Sequence, residues 1–202
     1  MINRPKNWDN VQAFTERRKL PVDAYVCKIK NAVVRDTDYG TQLCLLFDIT
    51  YGEYANFFAD DFAANPQEDK KWKGVLRQYL PKDDGSKKDE WTKSSFKTLL
   101  EAIELSNRGY MWDWDERSLG GKEIGIIFRN EEWEYNGKTG WTARPYRACS
   151  VDTVMDGKYA IPNEKPLKNK DSGFGSFQAA STNYGAPVQN FDLTDEDEEL
   201  PF

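Results

Sequence analysis

The chain contains no histidine. The commonest general base and metal ligand is therefore missing, and neither a nucleophile motif nor a phosphate-cradling glycine loop replaces it. Clustered carboxylates for a divalent cation come closest at Asp60-Asp61 and at Asp113 and Asp115. Neighbours on a strand point to opposite faces, however, so Asp60 and Asp61 are poorly placed to share an ion. The expectation is a protein that is not an enzyme and needs no cofactor. Cysteine is scarce too: Cys27, Cys44 and Cys149 are three, far apart and embedded in strand-like runs. That excludes a disulfide framework or a metal knuckle and makes them small core residues. No run approaches the length of a membrane span, and the first residues lack the apolar core of a signal peptide, so no membrane association and a cytoplasmic location are expected.

The remaining lack is local. From Asp171 to Phe202 there is no Lys or Arg, but there are seven acids: Asp171, Asp192, Asp195, Glu196, Asp197, Glu198 and Glu199. The formal net charge of -6 is thus unevenly spread, and without those seven the body carries 28 basic against 27 acidic residues. Any affinity of the body for a polyanion must come from where its Lys and Arg are placed, not from bulk charge.

Read in order, residues 9–18 suit a short helix packing Val11 and Phe14, stopped before Pro21. Residues 22–35 alternate as a strand, with Tyr25, Cys27 and Ile29 on one face and Lys28 and Lys30 on the other. Residues 41–51 form the second strand, with Leu43, Leu45, Phe47 and Ile49 inward. The aromatic run 53–62 predicts a third, on which Phe57 and Phe58 take opposite faces. Asn65-Pro66 then predicts a helix start, and Trp72, Val75, Leu76 and Tyr79 share one helical face up to Pro81. After a polar link, a second helix runs from 91 or 92 to 107 with Phe96, Leu99, Leu100 and Ile103 buried. Strands at 122–135 and 140–151 flank the hairpin signal Asn136-Gly137. Beyond Ala160 the composition turns to Pro, Gly, Ser, Asn and Gln without periodicity.

Three strands, helices, then two strands give a mainly β fold with a helical insertion. The order is that of the OB-fold, a five-stranded Greek-key barrel that binds oligonucleotides, with its helices between strands 3 and 4. One domain is expected over residues 1–168, with the insertion at about 66–107, followed by a flexible linker and disordered acidic tail over 169–202.

Holding unpaired nucleotides without reading sequence requires rings for bases to stack on and cations beside them for phosphates. Opposite Ile124, Ile126 and Phe128, the fourth strand carries Arg129, Trp133 and Tyr135, and its partner brings Lys138, Trp141, Arg144 and Arg147. The competing reading is that any one of these rings caps the core instead. A second group is Lys28, Lys30 and Arg35 on the first strand with Tyr54 and Phe58 on the third, Tyr54 being the better candidate of the two rings. Lys70, Lys71 and Lys73 around Trp72 read as a solvated helix face with the indole inward.

The last eleven residues are acidic and close on Leu200, Pro201 and Phe202. They resemble the C-terminal peptide of bacterial single-stranded-DNA-binding proteins, with Leu200 where isoleucine is usual. The resemblance implies that Asp195, Glu196, Asp197, Glu198, Glu199, Leu200, Pro201 and Phe202 dock into a basic-rimmed pocket on replication or repair enzymes. The body, through Asn7-Trp8-Asp9, Trp72-Lys73-Gly74, Asp89-Glu90-Trp91-Thr92, Trp112-Asp113-Trp114 and Glu131-Glu132-Trp133, resembles a family of small proteins encoded by phages and prophages of Firmicutes. That implies a phage protein coating single-stranded DNA in the host cytoplasm during replication, recombination or repair; a homo-oligomer is left open. The alternative is an adaptor whose barrel and acidic tail dock replication proteins.

Overall fold

The computed structural model describes residues 3–10 and 18–167. The helix expected over 9–18 falls mostly outside the described residues, as do the acidic tail and its tip. A five-stranded antiparallel sheet dominates, formed by β1 (Ala24–Thr37), β2 (Gly40–Ile49), β3 (Val75–Tyr79), β4 (Glu123–Tyr135) and β5 (Lys138–Cys149) in the order β3-β2-β1-β4-β5. Its edges, β3 and β5, come within 8 Å of each other at their Cα atoms. No ladder joins them among the described residues.

The alternation in β1 and β2 does what it predicts. Tyr25, Cys27 and Ile29 meet Leu43, Leu45, Phe47 and Ile49 in one core with Ile124, Ile126 and Phe128 of β4. At its centre the ring of Phe128 meets Tyr25, Phe47 and Phe58 with centroids 5.4, 6.2 and 6.4 Å away. A bulge in β1 between Ile29 and Asn31 shifts the phase, so Ala32 becomes the next inward residue. The α-helix between β3 and β4, Lys87–Ser106 (called α2 below), adds Phe96, Leu99, Ala102 and Ile103, with Leu100 packed at its margin. Ser86 caps it by accepting from the Asp89 N–H at 3.1 Å, so it starts a turn earlier than the apolar stripe alone predicts.

The two segments between β2 and α2 exchange their expected structures. Residues read as the third strand form α1 (Phe57–Ala64), and residues read as the first helix contain β3. Helix α1 exists because Asp48, buried on β2, accepts from the N–H groups of Phe58 at 3.0 Å and Ala59 at 3.2 Å. That cap comes from another element and leaves no local signature. Strand β3 hides its alternation because both of its faces are covered: Leu76 enters the main core, while Val75 packs with Cys44 and Leu46 on the opposite side. A strand buried on both faces loses period two, and Trp72, Val75, Leu76 and Tyr79 then imitate a helix. The helices accordingly flank β3, one before it and one after, and the expected helical insertion over 66–107 holds β3 followed by α2. Asp60 and Asp61 lie on α1, not on a strand, and Asp61 pairs with Lys73 at 2.8 Å.

Beyond β5 a short helix, α3 (Val151–Met155), replaces the expected end of the fifth strand, capped by the Ser150 hydroxyl. It lies on Gly125, where a Cβ would come within 2.6 Å of Val154 Cγ2 and 2.8 Å of the Ser150 carbonyl. Only glycine lets the helix approach β4 this closely. Among the described residues no helix is long and apolar enough to cross a membrane.

Cys27 and Cys44 are fully buried and Cys149 half-buried, in line with small core residues. Burial pushes the Cys27 thiol well above its usual range, raises Cys44 against the opposing pull of Arg35 and Arg77, and raises Cys149 to about 11. The thiolate is the reactive form, and at pH 8 a group titrating near 11 is ionised in only about one molecule in a thousand. Iodoacetamide at pH 8 is therefore expected to label none of the three appreciably in the folded protein and all three in urea. Native labelling of Cys44 at the rate of a free thiol would contradict this packing.

Candidate nucleic-acid interface

The β4–β5 hairpin supplies the candidate surface. Its turn is the expected Asn136-Gly137, with φ of 51° and 71°, the left-handed pair that a two-residue hairpin needs. A bulge between Ile127 and Phe128 leaves Tyr146 as an extra residue on β5. Beyond it, the register sorts the side chains.

Residues directly opposite one another share a face. Arg129 faces Arg144, Glu131 faces Thr142, Trp133 faces Gly140 and Tyr135 faces Lys138. Nearer the body, Arg147 faces Ile127, which belongs to the same set. Glu132 and Glu134 point the other way, so a run that reads as acidic, Glu131-Glu132-Trp133-Glu134, leaves one carboxylate on the surface that carries the cations. Trp141 is a correction. It pairs with Glu132 and so lies on the opposite face from Trp133. Proximity in sequence groups the two indoles, but the cross-strand register separates them.

Trp133 lies over Gly140: a Cβ there would come within 2.7 Å of the indole Cζ2 and 2.8 Å of Cε2. With no side chain beneath it, the ring rests against the backbone and leaves 40% of the residue exposed; Tyr135 is 71% exposed. These two rings do not cap the core. Among them sit Arg144, Arg147 and Lys138, all exposed. Arg129 is half-buried, with its guanidinium 4.4 Å from the centroid of the Tyr146 ring and an ion pair to Glu131.

Behind this arm, the chain after α3 runs alongside β4. Lys165 forms a parallel bridge to Glu131, its N–H donating to the Asn130 carbonyl and its carbonyl accepting from Glu132, both at 2.9 Å. β1 pairs β4 only as far as Ile127, so this strap covers backbone groups that β1 leaves open.

The second group is brought only partly together. Lys28, Lys30 and Arg35 are on the face of β1 away from the core, across from Asp48 and Gln42 of β2. Lys28 is exposed. Lys30 Nζ lies 3.7 Å from Asp48 Oδ2 and 5.3 Å from the centroid of the Trp72 ring. Arg35 donates through Nε and Nη2 to Gln42 Oε1 at 3.1 and 2.9 Å. Tyr54 is not among them. It precedes α1 in a turn, packs edge-on against Tyr25 at 5.9 Å on the core side and lies under Arg18 at 5.4 Å. Its placement followed from the mistaken third strand. Trp72 does turn inward, its Nε1 donating to the Phe47 carbonyl at 3.0 Å, but from an extended segment, not a helix. Lys70 covers the Phe62 ring at 4.6 Å.

Two residues of this outer face escaped the sequence reading: Arg77, which pairs with Cys44, and Tyr79, which pairs with Gln42. The signal that finds them is length. Gly74 and Pro81 bracket six residues, too few for an ordinary helix and typical of a strand. On β1 and β4, the outer face at Gly125 is covered by α3, so the cations fall into an arm group and a β1–β3 group. Among the described residues no set of three acidic or cysteine side chains is arranged to hold a metal ion. No family model matches this chain, and no curated protein matches it either.

Proposed function

We propose that the protein binds single-stranded DNA without strong sequence preference, through the β4–β5 arm, during replication or recombination of phage or prophage DNA. The observation that carries this reading is the sorting of the hairpin: Trp133 and Tyr135 stand exposed on the face that holds Arg129, Lys138, Arg144 and Arg147. Every base has a π-face, so such a platform holds unpaired nucleotides of any sequence while the cations meet the phosphates. A strand order of β3-β2-β1-β4-β5 with its two edges close together supports a five-stranded Greek-key barrel of the OB type. In that fold the loop between strands 4 and 5 borders the oligonucleotide groove, and strands 2 and 3 line it. Lys28, Lys30, Arg35, Arg77 and Tyr79 then extend the path along the β1–β3 face. The segment 195–202 recruits replication and repair proteins by its acids and its Leu-Pro-Phe end, acting in the host cytoplasm.

Titration with oligothymidylate tests the reading. Trp133 fluorescence is expected to be quenched, and affinity to fall steeply between low and moderate salt as counterions are released. Absence of both responses would reject it. An adaptor reading is favoured by one observation: Trp114, 76% exposed with φ 67°, is held in strained backbone against Trp112 at 4.7 Å. An exposed indole in a conformation bulky residues avoid suits a protein contact. The adaptor reading predicts a silent titration.

A further inference from the structure

The arm face contains one arrangement that its own packing does not explain. Arg129 and Arg144 are direct cross-strand partners on the same face. Like charges in that relation repel, and the pair needs an anion nearby to be favourable. One is present. Glu131, two residues along the same strand and on the same face, takes a terminal nitrogen of Arg129 through Oε1. The ion pair is sheltered, with the two side chains 20% and 28% exposed.

The arrangement is incomplete in two ways. Arg129 Nε is buried and, among the described residues, finds no acceptor. Glu131 reaches only one of the two guanidinium groups, while Arg144 stands exposed across the ladder. A phosphodiester offers two unesterified oxygens and suits two guanidinium groups better than one carboxylate engaged on one side. Thr142, opposite Glu131, adds a hydroxyl to the same spot. Trp133 lies one rung further along the same face, so a phosphate held here leaves its neighbouring base over the indole.

We infer that Glu131 is a built-in competitor of the nucleic-acid backbone: its carboxylate occupies the place of a phosphate at the Arg129–Arg144 pair, and a bound strand displaces it. This rests on the reading of the arm as a single-strand binding surface and adds to it a specific phosphate position and a restraint on affinity. The acid also disfavours weakly held anions, since each must first take Arg129 from its internal partner.

The test is Glu131→Gln in the full chain, titrated with oligothymidylate at two salt concentrations. The amide keeps the shape and loses the charge. Affinity is expected to rise by about three- to ten-fold at low salt, and the salt dependence to steepen by about one ion, because Arg129 now exchanges a counterion on binding. Unchanged or weaker binding, with an unchanged melting temperature, would overturn the inference. Should Glu131→Gln fail to fold, Arg144→Gln serves instead. It is expected to weaken binding severalfold and flatten the salt dependence by about one ion; wild-type behaviour would overturn the inference. At matched ionic strength inorganic phosphate is expected to displace the oligonucleotide more effectively than chloride, since it offers the same paired oxygens; equal competition by the two anions would remove the specific phosphate position. If the wild-type protein binds no oligonucleotide at all, the proposed function itself falls and this inference with it. If wild type binds and Glu131→Gln is no tighter, only the inference fails.

Discussion

Replacing Trp133 and Tyr135 together by alanine is expected to weaken oligothymidylate binding by about thirty-fold or more. Each base stacked on an aromatic ring contributes about 1–3 kcal/mol, and tenfold in affinity corresponds to about 1.4 kcal/mol, so two rings account for at least that factor. The fold should tolerate the change. Both residues stand out on the distal half of the hairpin, where Tyr135 is 71% exposed and the core ends at Phe128. Trp141→Ala is the informative control, because Trp141 is equally exposed, at 45%, but lies across from Glu132 on the other face. It should change affinity by no more than about twofold, as is usual for a residue outside the contact. Equal losses from both variants would show that the arm is gripped on both sides or merely destabilised. No loss from the double variant would remove the arm from the binding surface.

Asp48→Ala is expected to cost about 3–5 kcal/mol of stability. Its side chain is 3% exposed, accepts three backbone N–H groups, those of Ile49, Phe58 and Ala59 at 3.0, 3.0 and 3.2 Å, and has Lys30 Nζ at 3.7 Å. Alanine strands the first-turn donors of α1 beside a buried Phe58 and leaves Lys30 without its carboxylate. For a chain of this length about 1 kcal/mol corresponds to some 2–4 °C, so the melting temperature should fall by roughly 10 °C. Asp48→Asn retains one good acceptor and should lose less. Urea denaturation reads both, and a loss below about 1 kcal/mol for the alanine variant would mean that α1 is held by Phe58 alone. Lys30 belongs to the proposed DNA path, so the same variant also frees a cation; its effect on binding is to be read only below the melting transition.

How much was legible in the sequence differs by element. β1 and β2 could be read because one face of each enters the core and alternation survives. The β4–β5 hairpin could be read because Asn136-Gly137 dictates its turn. α2 could be read because one stripe of it is buried and the other side is polar. Residues 53–80 misled for opposite reasons. Phe57, Phe58 and Phe62 are aromatic enough for a strand, yet a carboxylate from β2 organises them as a helix. Val75 and Leu76 are both buried, one on each side, so the strand between Gly74 and Pro81 shows no period two. Tyr54 was misplaced as a consequence.

The candidate site divides the same way. That rings and cations are concentrated between Arg129 and Arg147 is a property of the sequence, and so is the absence of histidine. Which of them stand together is not. Sides of a hairpin follow from the cross-strand register, and the bulge at Tyr146 shifts that register by one residue, enough to decide the companions of every side chain beyond it. Trp141 and Trp133 are eight residues apart in the chain, and only the pairing of Trp133 with Gly140 sends them to opposite faces. Composition, turn chemistry and one-sided alternation are local and were fixed by the order of residues. The indole resting on Gly140 and the Arg129–Arg144 pair follow from the register within one hairpin, whereas the Asp48 cap and the doubly covered β3 require contacts between separate elements, and folding alone brings those together.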